Sequence, residues 1–206
     1  MAQSAQKEWA EKTHKQRAQI LFNVREILKH QFELIAKVKS SESGKTYQEG
    51  AAGLAKGIEV LEFALSLQNL DSGAKMQVSQ GVSCEYRREA LGVVASITPF
   101  NFPAMVPMWT IPITLALGNA LIWKPSEKTP LTPKLIAHVF DQAGLPPGLL
   151  SVLHGQAPTV EKIITHPVVK AISFVGSTPI ARKIYQPYRT VNWEKRKKER
   201  RTSQSL

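Results

Sequence analysis

The chain of 206 residues has one cysteine, Cys84, and no long uninterrupted apolar run. A single cysteine cannot form a disulfide within the chain or supply a cysteine-rich zinc site, and the five histidines lack metal-ligand spacing, so no metal site is expected. The longest apolar stretch, residues 103–117, contains three prolines and is too short to span a bilayer. The first residues lack the apolar core of a secretion signal. We therefore expect a cytoplasmic protein with no membrane segment.

Positive charge is in excess, but it is unevenly distributed. The formal net charge is +11, and residues 186–206 hold seven Lys or Arg against two Glu. We expect this segment to be a disordered basic tail. One alternative for the function is therefore a non-catalytic binding protein whose tail contacts nucleic acid or an acidic surface. Only Tyr188 and Trp193 interleave the tail with aromatic rings, and no nucleic-acid module is present, so nucleic acid is not the partner we expect.

The remainder has the composition of a globular protein, and its first third has helical periodicity. Apolar residues recur at three- and four-residue intervals in residues 20–28, 32–38 and 54–65, which predicts three helices. The second pattern stops at residues 40–44, which are rich in serine and glycine. Ser43-Gly44-Lys45-Thr46 resembles the end of a P-loop, but it lacks the preceding strand and the earlier glycine. We interpret it as a helix end and turn.

The pattern changes twice after residue 70. In about residues 72–90, apolar and polar residues alternate on both sides of Gly81, which predicts a two-stranded hairpin. From residue 91, short apolar runs alternate with helix-length segments. The runs are residues 92–98, 120–123, 150–153 and 171–175, and the helical segments are 103–117, 132–143 and 159–165. This order predicts an α/β fold with a parallel sheet covered on both faces, one cover coming from the first helical region.

Polar groups follow all four of the predicted parallel strands. They are Thr98-Pro99-Phe100-Asn101, Lys124-Pro125-Ser126-Glu127, His154-Gly155-Gln156 and Gly176-Ser177-Thr178. Because parallel sheets bind ligands at the carboxyl ends of their strands, we expect a site along this edge. No G-x-G-x-x-G motif follows the first strand, so the ordinary dinucleotide fingerprint is absent.

Each of these groups has a functional and a structural interpretation. Asn101 lies between two prolines and either directs its amide at a ligand or is a plain turn residue. Lys124 and Glu127 either hydrogen-bond to a ribose or form a surface ion pair. Ser177 either binds phosphate at the start of the following helix or only caps that helix. Cys84 has no neighbour that would activate its thiol, so we interpret it as structural.

Taken together, the motifs resemble the aldehyde dehydrogenase family. The string from Gly92 to Trp109 ends in PFNFPAMVPMW and is followed by Gly118-Asn119, by KPSE at 124–127 and by FVGS at 174–177. This string, HPVVKAISFVGS and the upstream ESGKT are similar to the CoA-acylating methylmalonate-semialdehyde dehydrogenases. The resemblance covers residue 7 to about residue 185. Ala181 departs from it, since the family carries glycine there.

The resemblance implies a Rossmann-like NAD-binding domain over residues 1–185, with a helical N-terminal region and the hairpin as an arm between subunits. Six residues are implied to contact NAD: Thr98 and Phe100 through their backbone, Lys124 and Glu127 at the adenosine ribose, Lys128 at the position that follows them, and Ser177 at the pyrophosphate. Asn101 matches the asparagine whose amide stabilises the oxyanion of the reaction. The carboxylate of Glu127 favours NAD over NADP, because it would repel a 2′-phosphate.

The implied reaction is the NAD-dependent oxidation of methylmalonate or malonate semialdehyde to an acyl-CoA, with CoA as co-substrate and a cysteine thiolate as nucleophile. No residue of this chain matches that nucleophile, because Cys84 lies in the predicted hairpin. We therefore expect a truncated, NAD-binding half of a homo-oligomeric enzyme, with the catalytic domain missing and the chain inactive alone. An alternative places the missing half in a second chain.

Overall fold

The computed structural model describes residues 1–70 and 73–187, which form an α/β fold with a separate hairpin. The order of elements along the chain is α1 Ala2–Ala10, α2 His14–His30, α3 Phe32–Ser43, α4 Tyr47–Leu70, β1 Ala74–Ser79, β2 Val82–Tyr86, β3 Val93–Ile97, α5 Met105–Met108, α6 Ile111–Ala116, β4 Ala120–Lys124, α7 Leu131–Gln142, β5 Leu150–Val152, α8 Ala157–Thr165 and β6 Val169–Phe174. Residues 178–187 are helical. The predicted basic tail lies outside the described residues except for 186 and 187.

The predicted helices of the first third are present, and their boundaries have local causes. Thr13 and Gln16 cap the start of α2 reciprocally, and α3 ends at Gly44, whose φ of 65° is left-handed and suits glycine. The apolar positions that predicted α2 and α4 face the core: Leu21, Val24, Leu28, Leu54, Ile58, Leu61 and Leu65 are buried. Helices α2 and α4 pack against each other and against α6, and burial of these faces stabilises the helices more than their intrinsic propensity does.

The parallel sheet has the strand order β5-β4-β3-β6. Helix α1 lies on β3 and β4, and the helices through α7 share one core with this face of the sheet. The opposite face packs against α8 and the helical segment 178–187, through Ile163, Ile164 and Ile184. Every residue of β3 is buried, as expected for a central strand covered on both sides. The prediction of a doubly covered sheet, with one cover from the first helical region, is confirmed.

One predicted helical segment is divided. Residues 103–117 form two short helices, α5 and α6, rather than one. Pro107 and Pro112 have no N–H to donate, and between the helices the N–H groups of Trp109 and Thr110 bond three residues back, to Val106 and Pro107. The prolines therefore divide this segment into two separate short helices.

The hairpin of β1 and β2 is antiparallel and shows the predicted reversal at Gly81, whose φ is 76°. Met76 pairs with Cys84 and Ala74 with Tyr86, so these four side chains share a face. Apart from the half-buried Ala74, every residue of the two strands is exposed. The hairpin pairs with no other strand among the described residues. Among these residues, no helix is long and apolar enough to cross a membrane.

Candidate functional site at the carboxyl edge of the sheet

The sheet order brings three of the predicted polar segments to one crevice. Strand β3 is central, the chain then runs outward to β4 and β5, and it returns to place β6 on the other side of β3. Ile97 pairs with Lys124 of β4 and with Phe174 of β6, so the strands end level with one another. The segments after β3, β4 and β6 therefore meet where the strand order reverses, which is the position at which such sheets bind ligands.

Thr98 joins β3 to β4 at this edge. It is buried, its hydroxyl accepts a hydrogen bond from Trp123 Nε1 at 2.9 Å, and its N–H donates to the Lys124 carbonyl at 3.1 Å. Because that N–H is already paired, a backbone contact from Thr98 to a ligand would have to come from its carbonyl. Thr98 therefore anchors the segment that follows β3.

The segment after β4, residues 124–128, contains a partly buried ion pair. Lys124 Nζ lies 3.2 Å from Glu127 Oε2, and the two side chains are 8% and 45% exposed. The backbone N–H of Glu127 itself, and then the ammonium of Lys124, hold the pKa of the Glu127 carboxyl below its usual value. The carboxylate is therefore charged at neutral pH and offers an oxygen to solvent at the edge of the crevice.

Lys128 and Phe100 connect the segments after β4 and β3. Lys128 Nζ lies 4.7 Å from the centroid of the Phe100 ring, and both side chains are exposed. The N–H of Lys128 donates to Ser126 Oγ, which fixes the turn from which the side chain extends. An ammonium over an aromatic face is a weak attractive contact at an exposed position. These two predicted residues are thus neighbours on the rim of the site.

Asn101 is exposed, and its side-chain amide makes no hydrogen bond with another described residue. Its backbone carbonyl is held instead, because Lys45 Nζ donates to it at 2.5 Å. A fixed backbone with a free amide is the arrangement that a preorganised hydrogen-bond donor requires.

Ser177 lies at the opposite side of the crevice, after β6. It is exposed, and its carbonyl accepts a hydrogen bond from the Ala181 N–H at 3.0 Å, which begins the helical segment 178–187. The helix starts at the ligand edge, so the unpaired N–H groups of its first turn carry partial positive charge there. The capping interpretation of Ser177 and its phosphate-binding interpretation are therefore compatible.

Two further charged side chains contact either a segment of this site or the helix that follows one, and residue spacing did not identify a role for them. They are Glu42 and Lys45, on either side of the left-handed Gly44. Both lie in the ESGKT string, residues 42–46, which is part of the family resemblance and whose last four residues we interpreted only as a helix end and turn. Nearby, Lys39 is fully buried and donates to the carbonyls of Glu49 and Gly50; burial, with the neighbouring charge of Lys45, lowers its pKa to about 8.

A cavity of about 830 Å³ lies at the opposite, amino edge of the sheet and contains none of the predicted site residues. Its buried polar side chains make structural contacts: Gln6 donates to the Gly118 carbonyl, Arg17 to the Ala116 carbonyl, and Asn119 accepts from the Gly92 N–H. These bonds tie α1 and α2 to the start of the sheet. The carboxyl edge is therefore the stronger candidate, despite the size of this cavity.

Comparison with known proteins agrees with this assignment of the fold. A model of the aldehyde dehydrogenase family matches residues 1–196, which extends further at both ends than the motifs indicate. The malonate-semialdehyde dehydrogenase 2 of Geobacillus thermodenitrificans is 41% identical over 186 residues, which are 90% of this chain and 38% of that protein. The chain thus spans well under half the length of this curated relative.

Solved structures give the same picture. A structure from Sinorhizobium meliloti, assigned as a methylmalonate-semialdehyde dehydrogenase and complexed with NAD, has a TM-score of 0.90 and 38% identity over 93% of this chain and 39% of its own. The methylmalonate-semialdehyde dehydrogenase of Oceanimonas doudoroffii has a TM-score of 0.90 and 37% identity, over 92% and 39%. With a family match over most of its length and a fold shared with these structures, the chain belongs to the aldehyde dehydrogenase family.

Proposed function

We propose that this chain forms the NAD-binding part of a malonate- or methylmalonate-semialdehyde dehydrogenase. The observation that carries the proposal is the convergence of the Asn101 segment, the Lys124–Glu127 pair and Ser177 at the reversal of strand order. It is supported by the similarity to a solved relative complexed with NAD and to curated relatives that act on malonate semialdehyde.

The chemistry of the residues after β4 fits the adenosine ribose. The half-exposed Glu127 carboxylate accepts hydrogen bonds from the two ribose hydroxyls, and Lys124 Nζ, 3.2 Å away, donates to the same diol. Lys128 lies on the rim beside Phe100 and adds a second cation. A 2′-phosphate would place negative charge against Glu127, so this arrangement favours NAD over NADP.

The other two segments fit the remainder of the dinucleotide and the reacting aldehyde. Ser177 and the N–H groups that begin the helical segment 178–187 bind the pyrophosphate, while Thr98 and Phe100 line the groove through their backbone. When bound, NAD accepts hydride from the aldehyde carbon. The amide of Asn101 donates to the carbonyl oxygen, whose negative charge grows as the carbon is attacked.

The covalent steps need a thiolate that attacks the aldehyde and CoA that takes the acyl group. Cys84 lies on the exposed hairpin and not in the parallel sheet that carries Asn101, so we assign the nucleophile to sequence outside this chain. We also propose that the enzyme is cytoplasmic and homo-oligomeric, with the hairpin between subunits.

The ribose assignment is tested by titrating the 206-residue chain with NAD in a calorimeter. We expect Lys124→Met and Glu127→Gln each to weaken binding by about 1–3 kcal/mol, the scale of a lost charge-assisted hydrogen bond. Lys56 and Glu59 form a matched control, because they are also a Lys–Glu pair three residues apart, but they lie on α4 at 2.8 Å and are exposed. Lys56→Met and Glu59→Gln should leave the affinity unchanged. Equal affinity in all four variants would remove the ribose assignment.

A further inference from the structure

We propose that residues 42–46, which are the end of α3 and the turn that follows it, position two of the three segments of the site. Lys45 holds the segment that carries Asn101, and Glu42 holds the start of α7, directly behind the residues assigned to the ribose. Both are positioning residues, since the contacts they make are with groups of the protein. The proposal rests on the proposed function for what these segments bind, but the contacts themselves do not depend on it.

Lys45 makes two contacts with consecutive residues after β3. Its Nζ donates to the Asn101 carbonyl at 2.5 Å and lies 4.0 Å from the centroid of the Phe102 ring. A charged donor to a carbonyl is a strong hydrogen bond, and the ring contact fixes the direction from which it comes. Together they restrain the backbone on which the Asn101 amide is mounted, and they leave that amide free.

Glu42 caps the start of α7, although it lies nearly ninety positions before that helix in the chain. Its Oε2 accepts hydrogen bonds from the Thr132 N–H at 3.0 Å and from Thr132 Oγ1 at 2.7 Å, and its Oε1 accepts from the Leu131 N–H. Helix α7 has no side-chain cap of its own, because its N-cap residue is Pro130. A carboxylate at this end also interacts favourably with the helix dipole.

The capped end matters because β4 ends at Lys124 and residues 125–130 form the whole connection to α7. Strand pairing fixes the first end of this connection at Lys124, and Glu42 fixes the second end at Leu131 and Thr132. A connection held at both ends has fewer conformations, so Lys124 and Glu127 lose less entropy when a ligand is bound.

Glu42 and Lys45 lie on either side of the residue at which α3 ends, and they contact different segments. Gly44 adopts a left-handed φ of 65° between them, which reverses the chain after α3. Thr46 and Glu49 then cap α4 reciprocally, with the Thr46 N–H donating to Glu49 Oε2 at 2.9 Å and the Glu49 N–H donating to Thr46 Oγ1 at 3.3 Å. Residues 42–46 are therefore fixed at both ends and can hold the Asn101 segment and the start of α7 in place.

The experiment compares Glu42→Gln and Lys45→Met with the parent chain by amide hydrogen exchange and by NAD calorimetry. In Glu42→Gln we expect exchange at Leu131 and Thr132 to be about tenfold faster, as for a lost helix cap, and NAD to bind several-fold more weakly. In Lys45→Met we expect the amide nitrogen of Phe102, which reports bonding to the Asn101 carbonyl, to shift. Lys45→Arg keeps the cation and should restore the parent signal.

Glu33 and Lys37 supply the control, since they form an exposed ion pair on the same helix, 3.4 Å apart. Glu33→Gln and Lys37→Met should leave exchange, shifts and NAD affinity at parent values. If Glu42→Gln and Lys45→Met match these controls in exchange and shift, the positioning role is refuted, whatever NAD does. If the exchange and shift effects appear but the parent does not bind NAD, the proposed function is refuted, whereas the positioning role of Glu42 and Lys45 is supported. Should Glu42→Gln fail to fold, Glu42→Asp replaces it, because its shorter side chain withdraws the carboxylate from Leu131 and Thr132. Faster exchange at these two residues in Glu42→Asp would support the positioning role of Glu42, and parent-like exchange would refute it.

Discussion

The parallel sheet and the hairpin use strands of similar length, yet their side chains are in opposite environments. All five residues of β3 are buried, whereas all five residues of β2 are exposed. The sheet is stabilised by apolar layers on both faces, and it can therefore hold polar segments in fixed positions at one edge. The hairpin has only its own backbone pairing among the described residues, which is a marginal source of stability. The difference separates a part that carries the candidate site from a part with little packing of its own among the described residues.

The largest expected difference between the two regions concerns the chemistry, in which we expect the hairpin to take no part. We expect the chain to reduce no NAD with malonate or methylmalonate semialdehyde, with or without CoA, because the thiolate is absent from the sheet edge. Loss of a covalent nucleophile costs roughly 10⁴- to 10⁶-fold in rate. The measurement is NADH absorbance over hours, with Cys84→Ser in parallel. Turnover abolished by Cys84→Ser would mean that the hairpin supplies the nucleophile.

The second prediction contrasts one apolar truncation in each region. Leu121 of β4 is 0% exposed in the main core, so Leu121→Ala should lower the free energy of unfolding by about 2–5 kcal/mol. Met76 of β1 is 53% exposed, and Met76→Ala should change it by no more than about 0.5 kcal/mol. Urea denaturation followed by circular dichroism measures both. Similar losses in the two variants would show that the hairpin is packed against the rest of the molecule.

The smallest expected effect concerns association through the apolar face of the hairpin. If this face lies between copies of the chain, Met76→Asp should weaken self-association about tenfold, or about 1.4 kcal/mol, in sedimentation equilibrium. Gln77→Asp adds the same charge at the neighbouring position, whose side chain points to the other face of the strand. It should associate like the parent. A parent chain that remains monomeric at high concentration would contradict the role of the hairpin.

Much of the fold could be predicted from local patterns, because the physical signals are strong and short in range. The periodic leucines of α2 and α4 are buried as predicted, Ile20 and Ile27 of α2 are partly buried, and the four short apolar runs form the four strands of the sheet. The prediction over residues 103–117 was too coarse, because the apolar pattern continues through Pro107 and Pro112 while the helical hydrogen bonds do not. The spacing of apolar residues alone does not indicate where a proline removes a backbone N–H donor from a helix.

For the site, the sequence alone determined which polar groups follow strands: the segment of Asn101, the Lys124–Glu127 pair and Ser177. It also predicted that these groups share an edge, because parallel strands end on the same side. The position of β6, on the side of β3 that faces away from β4, is known only from the tertiary structure. This position fixes which segments flank the crevice. The tertiary structure likewise decided that Glu42 meets α7 and that Lys45 meets Asn101. Those contacts join residues 56 to 90 positions apart, and no local pattern encodes them, since they depend on how α3 packs against α7 and α4 against α5.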